Sequence, residues 1–290
     1  MIVSRLRGGL GNQLFQYAAG RAVAHRHHTE LRLDTSAIDA DRLRRYALGH
    51  FRISASVLTD EERERLGVVR APKGRIGRTL ERFLGPAKLP MIRESTYEFD
   101  PTVLDAPKAC CLEGYWQSPR YFSEIEPQIR EECVVCDSLS GTNLEVSAQI
   151  DDCLSVSLHV RRGDYVAQKN TNRYHGTCSL EYYSAAEALL LDRLGKIRLF
   201  VFSDDPDWAE SNLRFDSTAT IVRHNAPEKD YEDLRLMSRC RHHIIANSTF
   251  SWWGAWLSAH PEKLIVAPRD WFREAKMNAS DLVPQSWIRI

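Results

Sequence analysis

The sequence predicts an α/β fold of two domains, each built on a parallel sheet flanked by helices. Three observations carry this expectation. The chain has 290 residues, enough for two cores of moderate size. Short apolar runs of strand length alternate with stretches of helical periodicity, the pattern of parallel sheets covered on both faces. In the second half, the polar clusters fall at the carboxyl ends of the predicted strands, where open parallel sheets bind ligands.

The first strand runs from Ile2 to Leu6 and enters "RGGLGNQLFQ", a glycine-rich turn that feeds a helix. Leu14, Phe15, Ala18, Ala19, Ala22 and Val23 recur with a period near 3.6, which gives that helix one buried face. A second strand, "LRLD", follows. The glycines, Gly8, Gly9 and Gly11, let a backbone approach a ligand closely. As a G-x-G-x-x-G run the turn fails at its third position, and the lysine of a phosphate-binding P-loop is absent. A nucleotide-dependent dehydrogenase is therefore disfavoured.

Between Arg70 and Arg93, seven basic residues stand against one acid, Glu81. This stretch reads as a solvated insertion or as a patch for an anionic membrane surface or a lipid-linked acceptor. The polar run from Asp137 to Asp151 reads as a linker, which sets the domains at 1–145 and 146–290. Beyond it come the strand "CLSVSLHV", a helix with Tyr183, Ala186, Leu190 and Leu194 on one stripe, and the strand "IRLFVFSDD". The strand "ATIVRH", the helix "DYEDLRLMSRC", the strand "HHIIAN", the helix "TFSWWGAWLSA" and the strand "KLIVAPRDW" complete the alternation.

Lysine and arginine balance aspartate and glutamate, 39 against 39, so no global positive field exists to hold a nucleic acid through its phosphates. The opening "MIVSRLRGG" lacks a signal-peptide pattern and no apolar run approaches a membrane span, so the expected location is cytoplasmic. Seven cysteines, an odd number without a regular framework, are expected as reduced thiols. The single C-V-V-C, Cys133 to Cys136, lacks the second pair that a zinc site needs.

The candidate site residues lie at the strand ends. In "HVRRGDY", alternation puts His159 and Arg161 on one face and Arg162 on the other. A guanidinium at a strand end suits a phosphate, since its fixed fork bonds two oxygens and keeps its charge at every pH. Arg161 is the expected ligand contact and Arg162 a structural partner. Asn247, Ser248 and Thr249 open a helix whose N-terminus attracts anions. Trp252, Trp253 and Trp256 at helical spacing read as core. In "SDDPDW", Asp204 or Asp205 could bond a base or ribose. Asp205-Pro206-Asp207 spells D-x-D, a frequent accident, and Arg161 with a helix terminus could neutralise a diphosphate without metal.

With these motifs assembled, the chain resembles glycosyltransferase family 11, the α-1,2-fucosyltransferases, in its short bacterial form. The resemblance rests on "RGGLGNQLFQYAAGRA" at 7–22, "HVRRGDY" at 159–165, "SDDPDW" at 203–208 and "DLRLMSRCRHHIIANSTFSWWGAWL" at 233–257. It implies a GT-B-like pair of facing Rossmann-type domains, the first on the acceptor side and the second binding GDP-fucose, with the last helix or tail crossing back. It also implies inverting transfer of L-fucose from GDP-β-L-fucose to the 2-hydroxyl of a terminal galactose, with no cofactor and no essential metal. By position, Arg161 would hold the β-phosphate, with His159 and Asp204 or Asp205 near the guanosine. Asn247, Ser248, Thr249 and Phe250 would line the diphosphate and base, with Gly9, Gly11 and Asn12 facing the sugar. Asp164 is the expected general base, His25 and the surroundings of Asn12 being alternatives, and its other reading is a carboxylate that orients Arg161 or Arg162. Rival readings are a transferase with another nucleotide-sugar donor, and an inactive glycan- or nucleotide-sugar-binding protein.

Overall fold

The structure is a computed structural model that describes residues 1–41, 43–68, 88–163, 176–272 and 280–290. The chain divides into two compact units, Met1–Cys133 and Val134–Ile290. This division falls earlier than the 145/146 boundary read from sequence. The polar stretch taken for a linker contains a helix of the second unit, Gly141–Asp151. Only Val146, Ser147 and Ile150 of that helix are buried, so its sequence is polar almost everywhere else. Asp164 and most of the basic stretch, 70–87, lie outside the described residues.

The first unit contains β1 (Ile2–Arg5), α1 (Leu10–Arg26), β2 (Leu31–Asp34), α2 (Ser36–Asp39), β3 (Ser56–Val57), α3 (Asp60–Arg65), β4 (Met91–Arg93), β5 (Cys110–Glu113) and α4 (Glu126–Glu132). The strands pair in parallel in the order β3-β2-β1-β5-β4. Sequence patterning did not indicate β3 and β4, which have two and three residues and no room for a period. Helix α1 is buried on more than the single face expected. Tyr17, Gln13, Gln16 and Gly20 are buried beside the apolar stripe. On one side Gly20 lies so near the sheet that an added Cβ would come within 2.9 Å of Leu31 and 3.0 Å of Ser4. On the other, Phe15 meets Phe122 at 6.2 Å between ring centroids, and the Tyr17 hydroxyl donates to Glu132 at the end of α4.

The second unit begins with α5, the helix at Gly141–Asp151. It continues through β6 (Ser155–Val160), α6 (Leu180–Leu194), β7 (Arg198–Ser203), α7 (Pro206–Asn212) and β8 (Thr218–Val222). After these come α8 (Asp230–Arg239), β9 (His242–Ile244), α9 (Thr249–Leu257), β10 (Ile265–Ala267) and β11 (Ile288–Arg289). All pairings are parallel, in the order β11-β10-β9-β6-β7-β8. Strand β6 is buried along its whole length, as a central parallel strand must be. Val156, Leu158 and Val160 pack with Tyr183, Ala186 and Leu190 of α6. The C-terminal tail adds β11 beside β10 in the second unit's sheet. All seven cysteines are free thiols.

Candidate active site

Each sheet has one place where the strand order reverses. In the second unit the chain goes from β6 outward to β7 and β8, then returns to β9 on the other side of β6. In open parallel sheets ligands bind at the carboxyl ends of the strands that flank such a reversal, here β6 and β9. Arg161 directly follows β6, and Asn247 and Ser248 end the short loop that joins β9 to α9.

Alternation along β6 works as the sequence predicts. Ser157 and His159 point away from the α6 layer, and the His159 ring lies 5.5 Å from that of Phe250 in the first turn of α9. His159 is 3% exposed, and its Nδ1 has no protein partner among the described residues. Burial, with the nearby Arg161 charge, pushes its pKa down to about 3, so the ring is neutral in the working pH range. A neutral, buried ring nitrogen without a partner is an unmet hydrogen bond, which a native structure ordinarily satisfies with a bound group or water.

Arg161 is held by Asp204 at 3.3 Å. The same carboxylate accepts the backbone N–H groups of Arg162 at 2.9 Å and Gly163 at 3.0 Å. Gly163 packs tightly in this clamp, since a Cβ would stand 3.0 Å from Asp204 Oδ2 and the carboxylate would have to shift. Arg162 leaves by the opposite face. Its guanidinium lies 4.2 Å over the Trp208 ring and 3.7 Å from Asp205. Asp205 caps α7 by accepting the Trp208 N–H at 3.2 Å, and Asp207 pairs with Arg223 at 3.2 Å. The three aspartates of "SDDPDW" therefore have three separate duties.

Ser248 occupies the N-cap position of α9, but its hydroxyl makes no capping bond to the first turn. The positive end of the helix is thus not closed by its own cap residue. Asn247 is buried. Its amide donates to the carbonyls of Gly176 at 3.2 Å and Trp271 at 3.3 Å, and its oxygen receives the Cys178 thiol at 3.6 Å. Trp252, Trp253 and Trp256 are core residues, and Trp252 Nε1 donates to the Leu282 carbonyl.

One group that sequence reading passed over lies at the carboxyl end of β8. Asn225 donates to Asp233 at 2.7 Å, and Asn225 and Asn143 exchange hydrogen bonds at 2.9 and 3.0 Å. Burial pushes the Asp233 carboxyl up to about 7, with Asp230 and Glu232 adding to the rise against the pull of the Asn225 bond. The sequence marks "RHNAPEKDY" only as a polar cluster at a strand end, and "DYEDL" reads as an ordinary acidic first turn of a helix.

In the first unit the reversal lies between β1 and β5. Gly8 has φ +76°, and a Cβ there would fall 2.6 Å from Asn12 Nδ2. Gly9 precedes α1 as its N-cap, and Gly11 is buried in the first turn. Two buried glutamines brace the turn. Gln13 donates to the Gly8 and Arg45 carbonyls and accepts the Ala47 N–H. Gln16 accepts the Arg7 N–H and donates to the Gly114 carbonyl. Asn12 accepts from Gln117 at 2.9 Å, which joins the loops after β1 and β5. Trp116, next to Gln117, is buried with φ +55°, a backbone strain that functional loops often carry. His25 lies thirteen residues beyond Asn12 on the same helix, about 20 Å away along its axis, and is exposed. It belongs to the other end of the sheet.

Comparison with known proteins identifies the assembly. Residues 93–290 match the family model described as glycosyl transferase family 11. An α-1,2-colitosyltransferase of Escherichia coli is 33% identical over 100% of this chain and 99% of its own. The chain belongs to glycosyl transferase family 11. The O-antigen biosynthesis glycosyltransferase WbnK of Escherichia coli is also 33% identical, over 99% of both chains. Human galactoside α-(1,2)-fucosyltransferase 1 is 26% identical over 51% of this chain and 42% of its own. Among solved structures, an Arabidopsis thaliana FUT1 variant in complex with GDP superimposes with a TM-score of 0.54 at 10% identity. That match covers 92% of this chain and 70% of the other. The fold is thus of the GT-B type, and this family 11 chain is a glycosyltransferase.

Within this glycosyltransferase, the residues predicted for the second unit separate into two groups. His159 and Arg161 end or follow β6, and Ser248, Thr249 and Phe250 open α9 beyond β9, with His159 against Phe250. Asp204 stands behind Arg161 as its holder, Asp205 is a helix cap and Asn247 is an internal brace. The sequence placed all three among the donor-binding residues, and the structure adds the internal partners that each one holds.

Proposed function

We propose that this glycosyltransferase is an inverting α-1,2-fucosyltransferase that moves L-fucose from GDP-β-L-fucose to the 2-hydroxyl of a terminal galactose. The observation that carries the reading is Arg161, fixed by Asp204 at 3.3 Å at the end of β6, the strand beside β9, whose loop leads into the α9 N-terminus that Ser248 leaves without a side-chain cap. A preorganised guanidinium and a helix terminus are the groups that a departing diphosphate requires. The α-1,2 linkage is common to the names of the colitosyltransferase and the human relative.

In the proposed reaction the acceptor O2 attacks the fucose anomeric carbon as the bond to the β-phosphate oxygen breaks. GDP leaves with the bonding electron pair, and the configuration changes from β to α. Negative charge grows on GDP, where Arg161 and the Ser248–Thr249 terminus receive it. The acceptor proton passes to Asp164, which directly follows the clamped Arg161–Gly163 segment. His159 meets the nucleoside through its unmet Nδ1. Asp233 accepts from the base, since guanine presents two adjacent N–H donors and a carboxylate two acceptors. No metal is required, because Arg161 and the α9 terminus meet the diphosphate charge.

A colitose donor is the second reading, favoured by the full-length relationship to the colitosyltransferase. The acceptor is proposed as a surface polysaccharide unit, in keeping with the O-antigen name of the other relative. Among the described residues no helix is long and apolar enough to cross a membrane. Work at the cytoplasmic face, with residues 70–93 touching anionic lipid, is part of the proposal. Neutralising four basic residues there should weaken binding to anionic vesicles.

The test is a transfer assay with EDTA present, offering GDP-fucose, GDP-colitose, GDP-mannose and UDP-galactose against lactose, with the linkage read by NMR. Fucose α-linked to O2 is the expected product. Transfer from another donor alone, or only after added divalent metal, would overturn the corresponding part.

A further inference from the structure

The first unit holds a cavity of about 500 Å³ at the carboxyl ends of β4 and β5, within the span of about 300–1,000 Å³ usual for small-molecule sites. Its lining includes Arg7, Arg93, Glu94, Tyr97, Glu113 and Tyr115. The Glu94 carboxylate is held in place by the N–H groups of Tyr115 at 2.7 Å and Trp116 at 2.8 Å, one on each oxygen. Each oxygen keeps a further lone pair. Burial holds the carboxyl above its usual range despite those two bonds and the nearby Arg7. Arg7 and Arg93 meet on Glu113 at 3.0 and 2.8 Å. Beside them the Tyr115 ring lies 5.7 Å from the Arg7 guanidinium.

The charges of this lining cancel, two guanidiniums against two carboxylates. That balance argues against a phosphate, which would face Glu94, and in favour of a neutral ligand dense in hydroxyls. A pyranose has both the polar rim that fixed carboxylate and guanidinium groups recognise and the apolar C–H face that a tyrosine ring covers. A clamp for the Gly114–Trp116 turn would explain Glu94 alone, but not two tyrosines and forked arginines around the same space.

Resting on the glycan-transfer reading above, we infer that this cavity is a subsite for a hexopyranose unit of the acceptor, anchored by Glu94 and walled by Tyr97 and Tyr115. It adjoins the strand reversal between β1 and β5 and the Gly114–Gln117 turn that reaches Asn12. The subsite therefore belongs to the same loop cluster as the glycine turn.

Saturation-transfer NMR of lactose and methyl β-D-galactopyranoside on the full chain tests the inference without any donor. Wild-type protein should saturate the sugar protons, and Tyr97→Ala, Arg93→Ala and Glu94→Gln should each weaken the signal severalfold. Arg93 keeps the fold out of the question, since its side chain is 72% exposed and Glu113 retains Arg5 and Arg7. In the transfer assay the same variants should raise the acceptor KM about tenfold or more, with the Kd for GDP by calorimetry unchanged within twofold. No saturation in wild type, or equal saturation in all variants, overturns the subsite. A loss of kcat at unchanged acceptor KM also overturns it. Failure of wild type to bind GDP would refute the donor reading instead, and the NMR comparison would still decide the subsite.

Discussion

Asp204→Asn separates a holder of the arginine from a ligand contact. The wild-type carboxylate makes three interactions, with the N–H groups of Arg162 and Gly163 and with the Arg161 guanidinium. An asparagine offers one carbonyl oxygen, so one N–H is lost and an NH₂ group is pressed against it, while Arg161 faces a neutral group. Hydrogen bonds to a charged partner contribute about 1.5–3 kcal/mol net. Asp204 is 24% exposed, so solvent screening favours the lower part of that range, about 2 kcal/mol. If that energy holds Arg161 in its working position, kcat/KM falls roughly 30-fold. Asp205→Asn is the control. Asparagine caps a helix as well as aspartate does, so activity should stay within about twofold. Steady-state transfer kinetics with thermal melting of each variant provide the measurement. Asp204→Asn within about threefold of wild type, or Asp205→Asn equally damaging, would refute the holder role.

Arg161→Ala should lower kcat by about 10²–10³ through loss of one preorganised donor, with Tm within a few degrees because Asp204 keeps its two backbone bonds. Arg161→Lys should recover only part of the rate, since a point charge cannot replace a fork. Gly8→Ala forces a Cβ into a φ of +76° and to 2.6 Å from Asn12 Nδ2, so the protein should lose about 1–2 kcal/mol in urea unfolding and transfer should fall with it. Asp233 has a folded pKa raised to about 7, so the folded state keeps a proton that the unfolded chain releases near pH 4. Its contribution to stability is full below that point and is lost as pH rises through 7. Between pH 5 and 8 wild type should therefore lose roughly 2 kcal/mol more than Asp233→Asn in urea titrations. GDP affinity should weaken below pH 7 in wild type and be flatter in the variant, because the acceptor carboxylate must be ionised.

The sequence by itself determined the alternation of strand and helix and the α/β class. It also put polar clusters at the carboxyl ends of the second unit's strands, because apolar periodicity and polar strand ends are local properties. The alternation of His159, Arg161 and Arg162 was legible for the same reason, since the pleat assigns faces residue by residue. The core role of Trp252, Trp253 and Trp256 followed from helical spacing. Tertiary structure decided what local pattern cannot hold. Asp204, Asp205 and Asn247 look alike in sequence, and only the neighbours brought by folding give one to Arg161, one to a helix end and one to three distant carbonyl and thiol groups. Glu94, Trp116 and Gln117 gave no signal, because their partners stand on segments far away in the chain. The same holds for Asp233, whose pKa is raised by burial and by the nearby Asp230 and Glu232 charges against the pull of Asn225. Faces are set by the covalent period of a few residues, whereas hydrogen-bond partners and desolvation are set by which segments the strand order places side by side.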